Sequence, residues 1–274
     1  MEPIHHDNSP TSLITAMEAN LSAWLPVLAL QGKHWVNDPP GLDRVTTDIP
    51  FGLFNSIMNT RLQPTLVDTT IQSLQTDARQ RNVPLLWWIV PSTRPHDLPA
   101  HLEMNGFNLD DDGPGMLADL ASLNEQLPYP SDLNVRIAHD ESGWRAWSQA
   151  MALAWEFPPN AQKGVEAWYN LVRLADPDTV LAYSAWLGDQ PVATSLLFLS
   201  EGVAGIYAVA TVPSARRKGI GARITLLPLL EARARGYQFA VLQASELGQP
   251  VYRSLGFKEV CRIRSYRWQA QETP

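Results

Sequence analysis

One succession of features occurs twice in this sequence and constrains its fold more than any other. The succession is the end of a helical pattern, a short apolar run, a second helical pattern and a Gly-Phe pair. In the first half it occupies residues 78–83, 85–90, 98–105 and 106–107. In the second half it occupies residues 232–237, 239–244, 251–255 and 256–257. Repetition in a fixed order indicates a duplicated unit, so we expect two domains of one fold in tandem.

The predicted boundary between the domains lies near residue 130. Residues 113–134 carry Gly, Pro, Asp and Ser around one short apolar segment, which is typical of a connection between domains. A chain of 274 residues is also long enough for two domains. We therefore predict a first domain over residues 1–130 and a second over residues 131–274.

Hydrophobic periodicity predicts an α/β fold for the second half. The predicted strands are residues 133–138, 180–187, 192–199, 205–212, 239–244 and 259–268. The predicted helices are residues 141–155, 164–175 and 219–235, with a short helix around Tyr252. Strands in succession, followed by a helix that crosses to another strand, make a mixed, mostly antiparallel sheet flanked by helices.

A basic, glycine-containing stretch joins the predicted strand 205–212 to the predicted helix 219–235. Its cations and glycines are Arg216, Arg217, Lys218, Gly219 and Gly221. The first N–H groups of a helix have no partner within the helix and bind anions such as phosphate, and glycines let a ligand approach the backbone closely. The stretch is not a Walker loop, and Ile224 stands where the dinucleotide fingerprint needs its third glycine.

The context of this stretch gives it a resemblance to a known family. The pattern Arg-x-x-Gly-x-Gly over residues 216–221 follows a strand and opens a helix, and Ser245 and Tyr252 come further along the chain. Over residues 133–268 the sequence resembles the GNAT superfamily of acetyl-CoA-dependent N-acyltransferases. The first half resembles the same fold more faintly. The resemblance implies a GNAT-like fold in tandem, with acetyl-CoA as the acyl donor.

The resemblance also implies a role for each part of this region. The loop that holds the pyrophosphate of coenzyme A would consist of Arg216, Arg217, Lys218, Gly219, Ile220, Gly221 and Ala222. The strand that pairs with the pantetheine arm would end in Ala210, Thr211 and Val212. Tyr252 would be the general acid that protonates the departing thiolate, and Ser245 would lie beside it in the catalytic site.

One common feature of the family is missing. Many members carry a glutamate on the strand that matches residues 205–212, where it relays a proton from the amine through water, and this strand has no carboxylate. The general base is therefore unassigned, and Glu156 is a candidate. Three tryptophans at helical spacing, Trp144, Trp147 and Trp155, either pack against the sheet or line an acceptor site.

The first half lacks the residues of a cofactor site. Its counterpart of the phosphate loop, residues 59–68, has no glycine, and Leu102 stands near the position of Tyr252. We therefore expect coenzyme A to bind at one site per chain, in the second half. The histidines are isolated or close to the N-terminus, so no metal site is predicted.

Charge and cysteine content narrow the functional classes. The net charge of −7 and the pI near 5.3 argue against nucleic acid as a partner. The single cysteine, Cys261, excludes an internal disulfide and, with the absence of a basic, apolar leader, predicts a cytoplasmic protein. The strongest apolar run, residues 85–90, is too short to span a membrane.

These observations predict an N-acetyltransferase that moves an acetyl group from acetyl-CoA to a primary amine by direct attack. The acceptor would be a small molecule or a peptide, and no motif fixes its size or charge. Two alternatives stay open: a tandem enzyme like mycothiol synthase that acts on an amino-sugar conjugate, and a CoA-binding or sensing module without turnover. The missing strand carboxylate favours the module, whereas Tyr252 and Ser245 favour an enzyme.

Overall fold

The chain divides into two compact units, each built from two separate segments. The structure, a computed structural model, describes residues 4–24, 27, 33–155, 166, 169 and 172–270. Unit 1 comprises Met1–Asn20 and Gly115–Val260, and unit 2 comprises Leu21–Pro114 and Cys261–Pro274. This division differs from the single boundary between residues 130 and 131 that the sequence pattern predicts.

Helices and strands alternate along most of the described chain. The strands are β1 (Lys33–Trp35), β2 (Asp43–Thr46), β3 (Ser56–Met58), β4 (Leu85–Ile89), β5 (Asn108–Asp119), β6 (Leu133–Ile137), β7 (Val180–Leu187), β8 (Gln190–Ser200), β9 (Val203–Thr211), β10 (Phe239–Gln243) and β11 (Lys258–Trp268). The helices are α1 (Pro10–Ala23), α2 (Val67–Arg81), α3 (Leu98–Met104), α4 (Glu141–Trp155), α5 (Ile220–Ala234) and α6 (Gln249–Leu255). The predicted strands of the second half are present, whereas the helix predicted over residues 164–175 lies mostly outside the described residues.

Unit 1 has a mixed sheet in the order β5–β10–β9–β8–β7–β6, to which β5 contributes its last residues, 115–119. Strands β9 and β10 run parallel, and the other neighbouring pairs are antiparallel. The apolar face of α5, including Ile220, Ile224 and Leu229, is buried in the core of this unit. The fold class predicted from the sequence is confirmed.

Unit 2 repeats this plan with a smaller sheet in the order β1–β2–β3–β4–β11. Strands β3 and β4 run parallel, and the other pairs are antiparallel. At the centre of its core, the fully buried Trp87 donates a 2.9 Å hydrogen bond from Nε1 to Thr60 Oγ1. Each unit therefore has one parallel pair in an otherwise antiparallel sheet.

A strand from each half of the chain completes the sheet of the other half. Residues 115–119 of β5, which follow the first repeat, pair with β10 in unit 1. Residues 264–268 of β11, which follow the second repeat, pair with β4 in unit 2. Periodicity within a short window carries no information about such distant pairing, which is why the compact units differ from the predicted boundary.

The two repeats match residue by residue at their second helix. In each repeat a glycine at positive φ, +80° in the first and +111° in the second, ends that helix. The Phe107 N–H then donates to the Leu102 carbonyl at 2.9 Å, and the Phe257 N–H donates to the Tyr252 carbonyl at 3.0 Å. Leu102 thus occupies the place of Tyr252, as the sequence predicts.

Two further expectations concern membranes and metals. None of the helices in the described part of the chain combines the length and apolarity that a membrane span requires. The same residues contain no group of three or more His, Cys, Asp or Glu side chains that could hold a metal ion.

Candidate active site

A cleft opens in unit 1 where the parallel strands β9 and β10 separate. The pairs that these strands form are Ala240↔Ala204 and Val241↔Gly205, near the start of β9. Further along β9, Val209, Ala210 and Thr211 line a cavity of about 250 Å³. An unpaired strand edge of this kind can bind an extended ligand through main-chain hydrogen bonds.

A β-bulge lies directly before the cleft residues of β9. Thr194 of β8 pairs with Ala210, but Leu196 pairs with Tyr207, so β9 carries one extra residue between these pairs. The extra length is accommodated at Ala208, whose φ is +49°. Its carbonyl accepts a 2.8 Å hydrogen bond from the buried Thr194 Oγ1, which holds the bulge in place.

The N-terminus of helix α5 lies at the same cleft. The Arg223 N–H donates to the Gly219 carbonyl at 3.1 Å, so the N–H groups of residues 220–222 precede the hydrogen-bond ladder of the helix. Gly221 lines the cleft, and a Cβ at this position would lie 3.7 Å from Thr211 Oγ1. The missing side chain therefore leaves space beside N–H groups that favour an anion.

Gly219 serves the backbone and is not part of the cleft lining. Its φ is +79°, and a Cβ there would lie only 1.9 Å from the Pro128 carbonyl oxygen. Both the conformation and the lack of space exclude a side chain, so Gly219 fixes the turn into α5. The two glycines of the motif thus have different reasons to be glycine.

Among the three cations of the motif, Arg216 lines the cleft and the other two do not. Arg216 donates from Nε to the Thr211 carbonyl at 3.0 Å and from Nη2 to the Ala154 carbonyl at 3.2 Å. These bonds hold the guanidinium between the end of β9 and the end of α4. Arg217 and Lys218 are exposed beside the cleft and contribute charge to its surroundings.

Three other predicted residues lie behind the cleft surface, and all three are buried. The Val212 N–H donates to the Val192 carbonyl at 2.9 Å and is therefore not available to a ligand. The side chains of Ile220 and Ala222 lie in the interior of the unit, so these residues can reach a ligand only through their backbone. Of the predicted strand end, Ala210 and Thr211 are the residues that line the cleft.

The phenol of Tyr252 enters the cleft from helix α6. The side chain is 8% exposed, packs edge-on against Phe257 at 6.0 Å between ring centroids, and lies against the backbone of Gly248. Its hydroxyl forms no hydrogen bond with a described residue. Burial raises the pKa of Tyr252 to about 12, so the phenol keeps its proton at neutral pH.

Ser245 is exposed two residues after the end of β10 and lines the same cleft. Its Oγ accepts a 3.2 Å hydrogen bond from the Gly248 N–H, and its carbonyl accepts 3.0 Å bonds from the N–H groups of Gly248 and Gln249. The residue therefore shapes the turn into α6. The hydroxyl proton is not used in these bonds and can be donated to a ligand.

The three tryptophans of α4 divide between the core and the cleft. Trp144 and Trp147 are buried, and Trp147 Nε1 donates to the Ser195 carbonyl at 3.2 Å, next to the bulge. Trp155 is 40% exposed and lines the cleft. Packing against the sheet is thus the role of the first two, whereas the third can contact a ligand.

Several cleft residues are absent from the sequence-based prediction: Ala154, Trp155 as an assigned site residue, Val209, Leu247, Gly248 and Val251. Leu247 is 72% exposed at the edge of the cleft. Its place between Ser245 and Tyr252 is the only sequence signal that could have suggested it. The contact of α4 with this region depends on the tertiary fold and has no local pattern.

No carboxylate lines the cleft within the part of the chain that the structure describes. The polar side chains there are Thr211, Arg216, Ser245 and Tyr252. Glu156, the candidate general base, lies outside the described residues.

Unit 2 lacks a corresponding cleft between its parallel strands, as far as its residues are described. Beyond β3 and β4, a bridge joins Arg61 to Arg94. The Arg94 N–H donates to the Thr60 carbonyl at 2.8 Å, and the Leu62 N–H donates to the Arg94 carbonyl at 3.1 Å. These bonds close the gap that stays open between β9 and β10.

Comparison with known proteins shows the fold of the chain and gives a family match for the second half. Residues 135–260 match the acetyltransferase (GNAT) domain family. A GCN5-related N-acetyltransferase from Kribbella flavida is similar in structure, with 18% identity, 93% of this chain and 96% of that chain covered, and a TM-score of 0.70. No curated protein matches the sequence significantly.

Two further solved structures are similar to this chain. A GCN5-related N-acetyltransferase from Sphaerobacter thermophilus has 19% identity, with 83% of this chain and 76% of that chain covered and a TM-score of 0.64. A tandem GNAT protein from the clavulanic acid biosynthesis pathway has 13% identity, with 100% of this chain and 98% of that chain covered and a TM-score of 0.59. Residues 135–260 therefore match the GNAT acetyltransferase domain family, and the chain has the fold of GCN5-related N-acetyltransferases over nearly its whole length.

Proposed function

We propose that unit 1 transfers an acetyl group from acetyl-CoA to a primary amine by direct attack. The observation that carries this proposal is that one cleft combines an unpaired strand edge, a helix N-terminus and the buried phenol of Tyr252. The GNAT domain match supports acyl transfer in general. The donor, the amine and the role of each residue belong to the proposal.

The cleft residues fit acetyl-CoA, which supplies an acetyl group activated as a thioester. The N–H groups of residues 220–222 and the guanidinium of Arg216 would hold the pyrophosphate. The edge of β9 at Ala210 and Thr211 would bind the pantetheine amides in the manner of an added strand. Arg217 and Lys218 would attract the anion through their charge.

Tyr252 would hold the proton that the departing thiolate takes. An ordinary thiol has a pKa of about 8.5, so proton transfer from a phenol with a pKa of about 12 is uphill by about 5 kcal/mol. A thiolate in the same buried environment is itself destabilised by desolvation, which reduces this cost. Ser245 would donate a further hydrogen bond at the same end of the cleft.

A CoA-binding module without turnover is the second candidate. It is favoured by the lack of a carboxylate in the described cleft lining, because no described side chain there can accept the proton of an ammonium group. In the enzyme, that proton would pass to water or to Glu156.

Release of free thiol from acetyl-CoA with a panel of primary amines tests the proposal. We expect turnover that depends on the amine, together with acetylated product by mass spectrometry. Tight CoA binding without thiol release for any amine would identify the binding module. Glu156→Gln, measured with the best amine, should lower kcat/KM at neutral pH, where a carboxylate base is ionised and the amine still carries its extra proton. An unchanged kcat/KM would leave water as the proton acceptor.

A further inference from the structure

A second cavity lies in unit 2, at a place to which no sequence motif points. Strand β11 pairs with β4 from the pair Arg264↔Ile89 onward, so Arg262 lies beyond the last residue of β4. The loop that follows β4 lies beside this extension, and together they line an open cavity of about 150 Å³. Its polar lining comes from Thr93, His96, Arg262 and Arg264.

The loop that follows β4 is held by its own hydrogen bonds. The Val90 N–H donates to Thr93 Oγ1 at 2.9 Å, and the Thr93 N–H donates to the Val90 carbonyl at 2.9 Å. Arg94 donates from Nη1 to the carbonyls of Pro91 and Thr93. The wall of the cavity is therefore an ordered turn, which satisfies its own backbone groups without using the two arginines of β11.

The two arginines of the cavity differ in their ionic partners. Arg262 pairs with Asp112, with Nη2 at 2.8 Å and Nε at 3.0 Å from Oδ1. Arg264 is half-buried, and among the described residues it forms no ion pair with a carboxylate; its side chain interacts with the Tyr266 hydroxyl. That hydroxyl in turn donates to Glu103 at 3.4 Å. Arg262 is thus held by the acidic segment 110–112, whereas Arg264 brings to the cavity a guanidinium that forms no ion pair with a described carboxylate.

We propose that this cavity binds a small oxyanion, a carboxylate or a phosphate, at the guanidinium of Arg264 with Arg262 and His96 beside it. Guanidinium donors match the oxygen geometry of such anions and can bind them in a bidentate manner. The cavity is smaller than the pockets that hold drug-sized ligands, which begin at about 300 Å³. The anion is therefore a simple one, or the end group of a longer molecule.

Thermal unfolding of the full chain with increasing inorganic phosphate, and separately with acetate, tests this site. Ionic strength is held constant with sodium chloride, so that screening does not change. We expect a saturable rise in Tm with at least one of the two anions. The anion with the lower apparent Kd indicates whether the natural ligand carries phosphate or carboxylate.

Variants assign the binding to this cavity. Arg264→Gln should weaken the apparent affinity about tenfold or more, because a charge-assisted hydrogen bond is lost. Arg61→Gln, which changes an exposed arginine of the same unit, should leave the affinity unchanged. His96→Glu, at an exposed position, should weaken binding by repulsion and serves as the test if Arg264→Gln fails to fold.

A further variant separates this site from the cleft of unit 1. Arg216→Gln should leave the affinity of the unit 2 cavity for phosphate or acetate unchanged. No saturable binding of either anion would overturn the proposal, as would binding that Arg264→Gln or His96→Glu leaves unchanged. Binding that disappears only in Arg216→Gln would belong to unit 1 and would likewise overturn it.

Discussion

Tyr252 and Leu102 occupy the same place in the two repeats, and they differ in what they offer a ligand. Each precedes a buried phenylalanine whose N–H donates to its carbonyl. Leu102 is fully buried and fills the core of unit 2, whereas Tyr252 lines the cleft of unit 1 with an unbonded hydroxyl. At this place in the repeat, a leucine can only pack in the core, whereas a tyrosine can also donate a proton to a ligand.

Tyr252→Phe keeps the ring and removes the proton donor. We expect turnover to fall by about 10²–10⁴, the usual contribution of a general acid, while the Kd for CoA changes little. Steady-state kinetics and calorimetry measure the two quantities. Tyr183→Phe is the matched control, because Tyr183 is a buried tyrosine of the same unit whose hydroxyl has no hydrogen-bond partner among the described residues. Turnover of Tyr252→Phe close to that of the parent would remove Tyr252 from the mechanism.

The buried phenol of Tyr252 also predicts how activity depends on pH. Because burial raises the pKa of Tyr252 to about 12, the phenol stays protonated below that pH and remains a competent acid throughout the neutral and mildly basic range. The pH–rate profile should therefore show no loss of activity from Tyr252 between pH 7 and about 10, the ordinary tyrosine pKa. A descending limb near pH 10 that is absent in Tyr252→Phe would contradict the buried environment.

The two glycines of the motif should respond differently to alanine. Gly219→Ala meets a backbone oxygen in a left-handed conformation, so we expect a loss of stability of about 1–3 kcal/mol or more. Gly221→Ala meets only ordinary contacts, at 3.7 Å and beyond, and should fold with a Tm near that of the parent. Gly221→Leu fills the cleft and should weaken CoA binding with little loss of Tm. Unchanged CoA affinity in Gly221→Leu would contradict the phosphate-loop assignment.

At the scale of elements, the bulge of β9 decides which residues reach the cleft. One extra residue at Ala208 shifts the register of the strand, and the Thr194 hydroxyl holds the resulting carbonyl. Thr194→Val has nearly the same shape and leaves that carbonyl without its bond. We expect a loss of about 1–3 kcal/mol in the free energy of unfolding, measured in urea, and a raised KM for acetyl-CoA.

Thr194→Ser is the control, because it retains the hydroxyl at the same position. Its KM for acetyl-CoA should lie close to that of the parent. Its free energy of unfolding should lie between those of Thr194→Val and the parent, because a methyl group is still missing from a buried site. If Thr194→Val and Thr194→Ser behave alike, the hydrogen bond to Ala208 does not hold the bulge.

Prediction from the sequence succeeds where the signal is local. The described strands and helices of the second half follow apolar periodicity, and Trp147 of α4 packs in the core, which is one of the two alternatives that its spacing allows. Contacts between distant segments have no such signal. The approach of Ala154 and Trp155 to Leu247, and the Pro128 carbonyl that excludes a side chain at Gly219, depend on the folded chain. The cleft residues named from the sequence therefore lie along its loop and strand, and on the α4 side they include only Trp155, as one of two alternatives.

At the scale of the whole molecule, the two units differ in whether their parallel strands separate. In unit 2 the backbone of Arg94 is bonded to Thr60 and Leu62, where unit 1 has an open cleft. We therefore expect one CoA per chain by calorimetry. A stoichiometry of two would show that the bonds around Arg94 open to admit a ligand.

The exchange of strands between the halves has a consequence for biosynthesis. Domains generally fold as units while the chain is made, beginning with the N-terminal one. The first four strands of unit 2 emerge early, but the edge of β4 can be covered only when residues 264–268 have been synthesised. Until then the apolar sequence LLWWI of β4 exposes an unpaired edge, the kind of segment at which chains associate incorrectly. The ribosome therefore makes β11 well after the other strands of unit 2, and we expect a chaperone to protect the nascent chain most during this interval.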